Sequence, residues 1–158
     1  MAVKIVTVDA SSIAIVFTWL VQWFIRQNRK QRHLKKGCDA FGQQRERLEK
    51  EFLEFARRTG IPRGLVWVNC DFETEVCFVR DRSSRQLQAL VPVTIAFEAE
   101  VGGDMEEVEA VGNLRAATAV FLYNGDSWST EGRAIFNLNP QQTVERHQES
   151  LEIVEPAR

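Results

Sequence analysis

The sequence is poor in the residues that most often bind metals. Only three cysteines and two histidines occur among its 158 residues. An odd number of cysteines argues against the paired disulfides of a small secreted protein and is typical of thiols in a reducing compartment. Cys70 and Cys77 also stand too far apart in the chain for the tight cysteine pairs of zinc sites.

The two histidines also offer little basis for histidine-based catalysis. His33 lies inside a basic run, so His147 is the remaining candidate for a general acid or base. A lone histidine on a helix is more often packed than catalytic. We therefore predict no catalytic, metal-binding or cofactor-binding residues, and we favour a non-enzymatic role over an enzymatic one.

Charge is absent from Ala10 to Ile25. The apolar residues of this run fall on every side of a helix, which is typical of a helix buried in protein or in lipid. Six basic residues then follow within eleven positions, and we predict that they contact a membrane surface: Arg26, Arg29, Lys30, Arg32, Lys35 and Lys36.

Three interpretations of the uncharged run compete. A cleaved signal peptide carries its positive charge before the apolar run, whereas here the charge follows it. A buried or interfacial helix suits the length, since the run rises only about 24 Å against a hydrocarbon core of roughly 30 Å. A single-pass anchor accounts for the all-round apolarity, the basic flank and Trp19 and Trp23 as interfacial aromatics. We predict the anchor, over residues 1–25, and keep the interfacial helix as the alternative.

The basic segment also predicts an orientation and a partner. If the helix spans, the excess of positive charge after it places the N-terminus outside and the C-terminal domain in the cytoplasm. The expected partners are the lipid bilayer and its anionic headgroups, together with an unidentified protein. Nucleic acid is not expected, because His33 is the only ring between Arg26 and Lys36 and provides no stacking platform.

The net charge of −2 conceals a division along the chain. Residues 26–63 hold 12 Lys or Arg against 5 Asp or Glu, which leaves a net +7. Residues 64–158 hold 7 against 16, which leaves a net −9. We expect the acidic body to be repelled by an anionic bilayer while the basic segment is attracted to it.

Beyond Gly37 the pattern predicts a helix and then strands. Phe41, Leu48, Phe52 and Ala56 share one helix face over about 39–59, which Gly60 and Pro62 end. Strands are predicted at 64–70, 75–80, 86–101, 113–123 and 127–138, the last two forming a hairpin at Asn124-Gly125-Asp126.

Two further local features concern proline residues. Pro92 cannot donate to a ladder and predicts a bulge or an edge in the third strand. Asn139, Pro140 and Gln142 predict the start of a C-terminal helix, whose apolar stripe includes His147, Leu151 and Val154.

The predicted fold class is therefore α+β. An N-terminal apolar helix precedes a curved antiparallel sheet of about five strands, with a covering helix and a C-terminal helix. By architecture alone, the outline resembles the helix-on-curved-sheet folds of the cystatin-like and NTF2-like kind. We divide the chain into a membrane anchor helix at 1–25, a basic juxtamembrane neck at 26–38 and a globular domain at 39–158.

These features lead to two functional hypotheses. The first is a membrane-anchored cytoplasmic module with a binding or scaffold role, which includes assembly into a larger membrane complex. The alternative is a small-ligand-binding or enzymatic domain of the NTF2-like kind, with a pocket between sheet and helix. Two charged clusters remain as candidates for ions: the acidic loop 104–109 for a cation, and Arg80, Arg82 and Arg85 for a phosphate or carboxylate.

Overall fold

A computed structural model describes residues 10–59, 65–103, 112 and 114–156. The predicted α+β class, with an antiparallel sheet, is confirmed. The elements in chain order are α1 (Ala10–Thr59), β1 (Leu65–Phe72), β2 (Cys77–Asp81), β3 (Leu87–Ala99), β4 (Arg115–Tyr123), β5 (Trp128–Phe136), α2 (Pro140–Arg146) and β6 (Leu151–Ile153). The acidic loop lies outside the described residues.

Among the described residues, the sheet has six strands in the order β5-β4-β3-β2-β6, and β1 also pairs with β3. The strands β1 and β2 lie end to end along the same edge of β3, because β1 pairs with its second half and β2 with its first half. The predicted hairpin joins β4 to β5, with the backbone nitrogen of Asn124 donating to the carbonyl of Ser127.

Pro92 lies where β1 gives way to β2. Pairing with β1 stops at Val93 and pairing with β2 starts at Leu90, while the carbonyl of Pro92 accepts from the backbone nitrogen of Glu73. The nitrogen and the carbonyl of one residue face the same neighbour in an antiparallel strand. The missing N–H of Pro92 therefore faces this gap and interrupts no ladder.

The first helix is longer than its predicted counterpart at 39–59. It runs for 50 residues without a break, so that Gly37 lies inside it. Leu34, Phe41 and Leu48 are buried at spacings of seven, which shows that the packed stripe starts before Gly37. The uncharged run, the basic neck and the covering helix are thus consecutive parts of one helix.

The expected membrane-spanning helix is not found. Across residues 10–59 and the other described ranges, no helix has the length and apolarity needed to cross a bilayer. The uncharged run is not wholly apolar, since it contains Ser11, Ser12, Thr18 and Gln22. Charge begins at Arg26. Residues 1–9 of the predicted anchor lie outside the described part.

The core fills the space between α1 and one face of the sheet. Its centre is a cluster of rings, in which Phe41 packs edge-on against Phe121 and Trp128 with centroids 5.5 and 5.0 Å apart, and Phe52 packs against Phe72 at 5.5 Å. The predicted inward positions of β3 are buried at Leu87, Ala89, Val91, Val93, Ile95 and Phe97.

A second, smaller core lies on the opposite face of the sheet. Leu90 and Val120 point there and pack with Val79 and with Val144 of α2. Asn139 caps α2 as predicted, its side chain accepting from the backbone nitrogen of Gln142. The predicted extent of this helix is wrong.

After Arg146 the chain turns and forms β6, which pairs with β2. Leu151 therefore packs as a strand residue. His147 ends α2 with an exposed side chain, rather than lying on an apolar helix face.

Gly132 permits a close approach between α1 and β5. Its φ is +70°, and a Cβ there would stand 2.4 Å from the backbone nitrogen of Ala56. At Gly102 the φ is +79°, but a Cβ would meet no atom within 4 Å. The two glycines therefore share an unfavourable dihedral and differ in the clash.

We expect Gly132→Ala to lower the free energy of unfolding by about 3 kcal/mol, since it adds a backbone clash to the left-handed strain. Gly102→Ala should lower it by about 1 kcal/mol, which is the strain alone. Urea denaturation of both variants measures the difference. Equal losses would show that α1 does not press on β5 at Gly132.

Candidate functional site

The basic neck is the part of α1 in which its packing against the sheet begins. All six predicted membrane-contact residues are exposed there: Arg26, Arg29, Lys30, Arg32, Lys35 and Lys36. Leu34 is buried among them, with 5% of its surface exposed. The neck is therefore attached to the body on one side and open on the others.

Beyond the neck lies the apolar tip of α1, residues 10–25, whose side chains are described from Phe17 onward. Trp19 and Trp23 are 67% and 52% exposed. The other large exposed apolar side chains of the tip are Phe17, Leu20, Val21, Phe24 and Ile25. A contiguous exposed apolar surface of this kind marks a site of contact with a membrane or with another protein.

The cations of the neck face two directions. Arg29, Lys30 and His33 line a cleft of about 870 Å³ between α1 and the sheet. Arg32 and Lys36 line a separate groove of about 430 Å³ on another side of the helix, with Lys35 and Asp39. Residues with the same charge on one helix thus have distinct surroundings.

The opposite wall of the cleft is the turn that joins β2 to β3. Arg80, Ser84 and Arg85 line this wall, and Tyr123 and Gly125 line the end of the cleft. The structure thus brings two of the three arginines of the predicted anion cluster opposite Arg29 and Lys30. Among the described residues that line this cleft, none is acidic.

Asp81 holds the turn in shape. One of its carboxylate oxygens accepts from the backbone nitrogens of Ser83 and Ser84 at 2.9 and 2.8 Å, and from their hydroxyls at 2.7 and 3.0 Å. These hydrogen bonds, led by the Ser83 hydroxyl, lower the pKa of Asp81 to about 2. Arg85 follows in a left-handed conformation with a φ of +62°.

Glu152 of β6 is the anionic partner of all three arginines. Its carboxylate oxygens lie 3.7 Å from Arg80, 3.4 Å from Arg82 and 3.2 Å from Arg85. One carboxylate against three guanidinium groups leaves two positive charges uncompensated within this cluster. The arrangement keeps the arginine side chains together beside the cleft.

Tyr123 adds an uncommon feature at the end of the cleft. Its side chain is only 7% exposed, and its ring lies 5.0 Å from that of Trp128. Within the part of the chain that the structure describes, its hydroxyl is the one buried side-chain polar atom that lacks a hydrogen-bond partner. A buried group left in this state costs about 1–3 kcal/mol.

The cysteines lie outside this cleft. All three are free and partly buried. Burial, aided by the charge of Asp39, raises the pKa of the Cys38 thiol to about 11, and burial raises that of Cys70 to about 11 and that of Cys77 in the same direction. Thiols with such pKa values are protonated at neutral pH and are weak nucleophiles. No group of three potential metal ligands occurs in the described ranges.

The sequence predicted both basic clusters but not that they line opposite walls of one cleft. It missed Tyr123 and Glu152, which reach the cleft and its rim through β4 and β6. The one available signal was the spacing of Leu34, Phe41 and Leu48, which indicates a helix that continues through the neck. No family model, curated protein or solved structure matches this chain.

We expect the carboxyl of Asp81 to titrate near pH 2, well below its ordinary value of 3.8. Since the pKa is lowered on folding, ionised Asp81 stabilises the turn above about pH 4, and this contribution is lost as the pH falls through 2. Carbon-13 NMR of the side-chain carboxyl measures the titration. In Ser83→Ala/Ser84→Ala the pKa should rise toward 3.8, and titration of the unchanged protein near 4 would refute the assignment.

Proposed function

We propose that this protein is a non-enzymatic module held at the surface of an anionic membrane by α1. The apolar tip enters the interfacial layer, the basic neck binds anionic headgroups, and the α+β body carries a binding or scaffold role toward a partner protein. One observation carries the proposal. A single helix presents exposed tryptophans on its tip and then six exposed cations, which begin before its packed part and continue into it.

The charge of the neck favours lipid over a second copy of the chain as the occupant of the tip. Six cations follow the tip with no acidic residue between Ala10 and Cys38. Parallel pairing of two tips would bring two such necks together, and like charges on adjoining helices repel. An anionic bilayer offers the complementary charge, worth about 1 kcal/mol for each basic residue near its surface.

The position of the tryptophans supports an interfacial location. Trp19 and Trp23 stand at the end of the tip that adjoins the neck, where aromatic rings with a polar N–H suit the boundary between acyl chains and headgroups. The interfacial helix was the alternative to a spanning anchor, and it needs no helix long enough to cross the bilayer.

The alternative hypothesis places a ligand between α1 and the sheet. That layer is occupied by packed rings that are each at most 2% exposed, namely those of Phe41, Phe52, Phe121 and Trp128. The open cleft lies instead beside the neck, where a surface ligand reaches it. We therefore take the membrane-surface role as the proposed function and place any bound ligand in the cleft beside the neck.

The proposal places the body on the cytoplasmic side, because the cytoplasmic leaflet carries the anionic lipids that the neck would bind. The net −9 of residues 64–158 keeps the body from lying flat on that leaflet. The predicted outside position of the N-terminus depends on a spanning helix and is not part of this proposal.

We expect the protein to sediment with vesicles of phosphatidylcholine and phosphatidylserine at low salt, and the binding to weaken as salt is raised. Tryptophan fluorescence should shift to the blue at the same time. The shift reports the tip, because Trp67 and Trp128 are only 4% and 1% exposed in the body before binding.

Replacing Trp19 and Trp23 by alanine should weaken vesicle binding on the order of 100-fold, as each loses apolar burial worth about 1.4 kcal/mol. The matched control is Val66→Ala/Ile153→Ala, which removes exposed apolar side chains from the body and should leave binding unchanged. Trp19→Phe/Trp23→Phe should keep most of the binding and lose the fluorescence shift. If the protein instead binds neutral vesicles equally well, or forms dimers that bury the tip, the proposal is wrong.

A further inference from the structure

The cleft between the neck and the β2–β3 turn contains donors from three separate parts of the chain. Arg29 and Lys30 come from α1, Arg80 and Arg85 flank the turn, and Tyr123 comes from β4. We propose that this cleft is a binding site for a phosphomonoester group, which the four cations hold and to which the Tyr123 hydroxyl donates a hydrogen bond.

The positive charge of the cleft favours an anion with more than one negative charge. Arg80 and Arg85 share one carboxylate, that of Glu152, with Arg82, so this cluster retains two positive charges. Arg29 and Lys30 add two more from the opposite wall. A phosphomonoester carries a charge of about −1.5 to −2 at pH 7 and offers three strong acceptor oxygens. A carboxylate offers one charge and two oxygens, and leaves more of the cleft uncompensated.

The acidic groups near the site do not fill this role. Glu152 and Glu155 line an adjoining groove and not the cleft, although Lys30, Arg80 and Arg85 line both. The carboxylate of Asp81 is occupied by Ser83 and Ser84 within the turn. Glu152 therefore gathers the arginines and Asp81 shapes the turn, while neither carboxylate lines the cleft itself.

Tyr123 supplies an independent observation. A buried hydroxyl without a partner is rare in folded proteins and calls for a particular explanation. Here the residue that bears it lines the basic cleft. In the proposed complex a phosphate oxygen beside Tyr123 accepts this hydrogen bond, which would account for both the unpartnered donor and the surrounding positive charge.

The volume of the cleft, about 870 Å³, suits a phosphorylated small molecule or headgroup rather than a lone ion. Two sources share this chemistry, namely a phosphorylated inositol lipid and a soluble phosphomonoester. The lipid source rests on the proposed function, because the neck that would lie on the membrane also forms one wall of the cleft. The soluble source does not depend on it.

The experiment has one arm for each source. Calorimetric titration of the full chain with inositol 1,4,5-trisphosphate, and separately with inorganic phosphate, tests the site without a membrane. Sedimentation with vesicles that contain phosphatidylinositol 4,5-bisphosphate tests the lipid source, against phosphatidylserine vesicles of equal total charge. We expect binding of the trisphosphate, and at least about tenfold tighter binding to the bisphosphate vesicles than to the matched ones.

A pair of charge-matched variants separates the site from general attraction. Arg29→Gln/Arg85→Gln removes two charges from the cleft, and should weaken trisphosphate binding by about 30-fold or more, because charge-assisted contacts are lost. Arg32→Gln/Lys36→Gln removes two charges from another side of the neck and should change it by less than about threefold. Both pairs should weaken binding to phosphatidylserine vesicles, and the outer pair should do so more, because it removes two cations of the neck and the cleft pair removes one.

Tyr123→Phe tests the hydroxyl alone. This variant keeps the ring and removes the unpartnered donor, so the unliganded protein should be as stable as the unchanged one or more stable. Trisphosphate binding should nevertheless weaken by about tenfold. A purely structural role for Tyr123 would not separate stability from binding in this way.

The two proposals fail in different ways. If the protein binds the trisphosphate but does not sediment with any of the vesicles, the phosphate site is supported and the membrane function is wrong. Equal binding to charge-matched vesicles, with no trisphosphate binding, would leave the membrane function standing and overturn the site. The site is also wrong if the cleft pair and the outer pair lose trisphosphate binding equally.

Discussion

The indole nitrogen of Trp128 donates a hydrogen bond of 2.8 Å to the carbonyl of Gly37, in the middle of α1. Glycine also leaves room for its neighbours, since a Cβ at position 37 would stand 2.8 Å from the side chain of Leu87 and 3.3 Å from that of Tyr123, which would have to shift. Glycine in a helix interior costs about 1 kcal/mol relative to alanine. The cost is offset here by close packing of the helix backbone against the sheet.

Because α1 is continuous, this close approach also sets the position of the neck. Arg29 and Lys30 lie about two turns before Gly37, and a rigid helix carries them over the β2–β3 turn. On the other wall, Asp81 shapes the turn and Glu152 gathers the arginines. The cleft is therefore formed by core packing and turn geometry together, with its cations contributed by elements that are themselves fixed.

The elements that local patterns specify were predictable, and those that depend on distant pairing were not. Alternation in β3 predicted its buried face, and Asn139 predicted the start of α2, because both signals lie within one element. The strand β6 has only three residues and forms by pairing with β2, far away in the sequence. The place of Tyr123 in the cleft depends on the register between β3 and β4, which no local pattern fixes.

The predicted domain boundary near Gly37 shows that one glycine can be interpreted in two ways. A glycine after a basic run is typical of a helix end, whereas glycine inside a helix also permits close backbone contact. The distinction depends on Trp128, which is 91 positions away and donates to the carbonyl at this point. The prediction that the six cations contact lipid was made from local sequence alone. Their division between two sides of the helix depends on the position of the sheet, which no local pattern gives.

The distances along α1 link the tip to the cleft. Trp23 and Lys30 are separated by a rise of about 10 Å, which is an upper limit on their difference in depth at any tilt of the helix. The headgroup layer of one leaflet is roughly 5–8 Å thick. A helix with Trp23 at the acyl boundary therefore holds Lys30, and the cleft beside it, within or just outside this layer. Under the proposed membrane-surface role, a phosphate that extends from a headgroup would reach that depth, and the tip and the cleft would engage the same lipid surface at once.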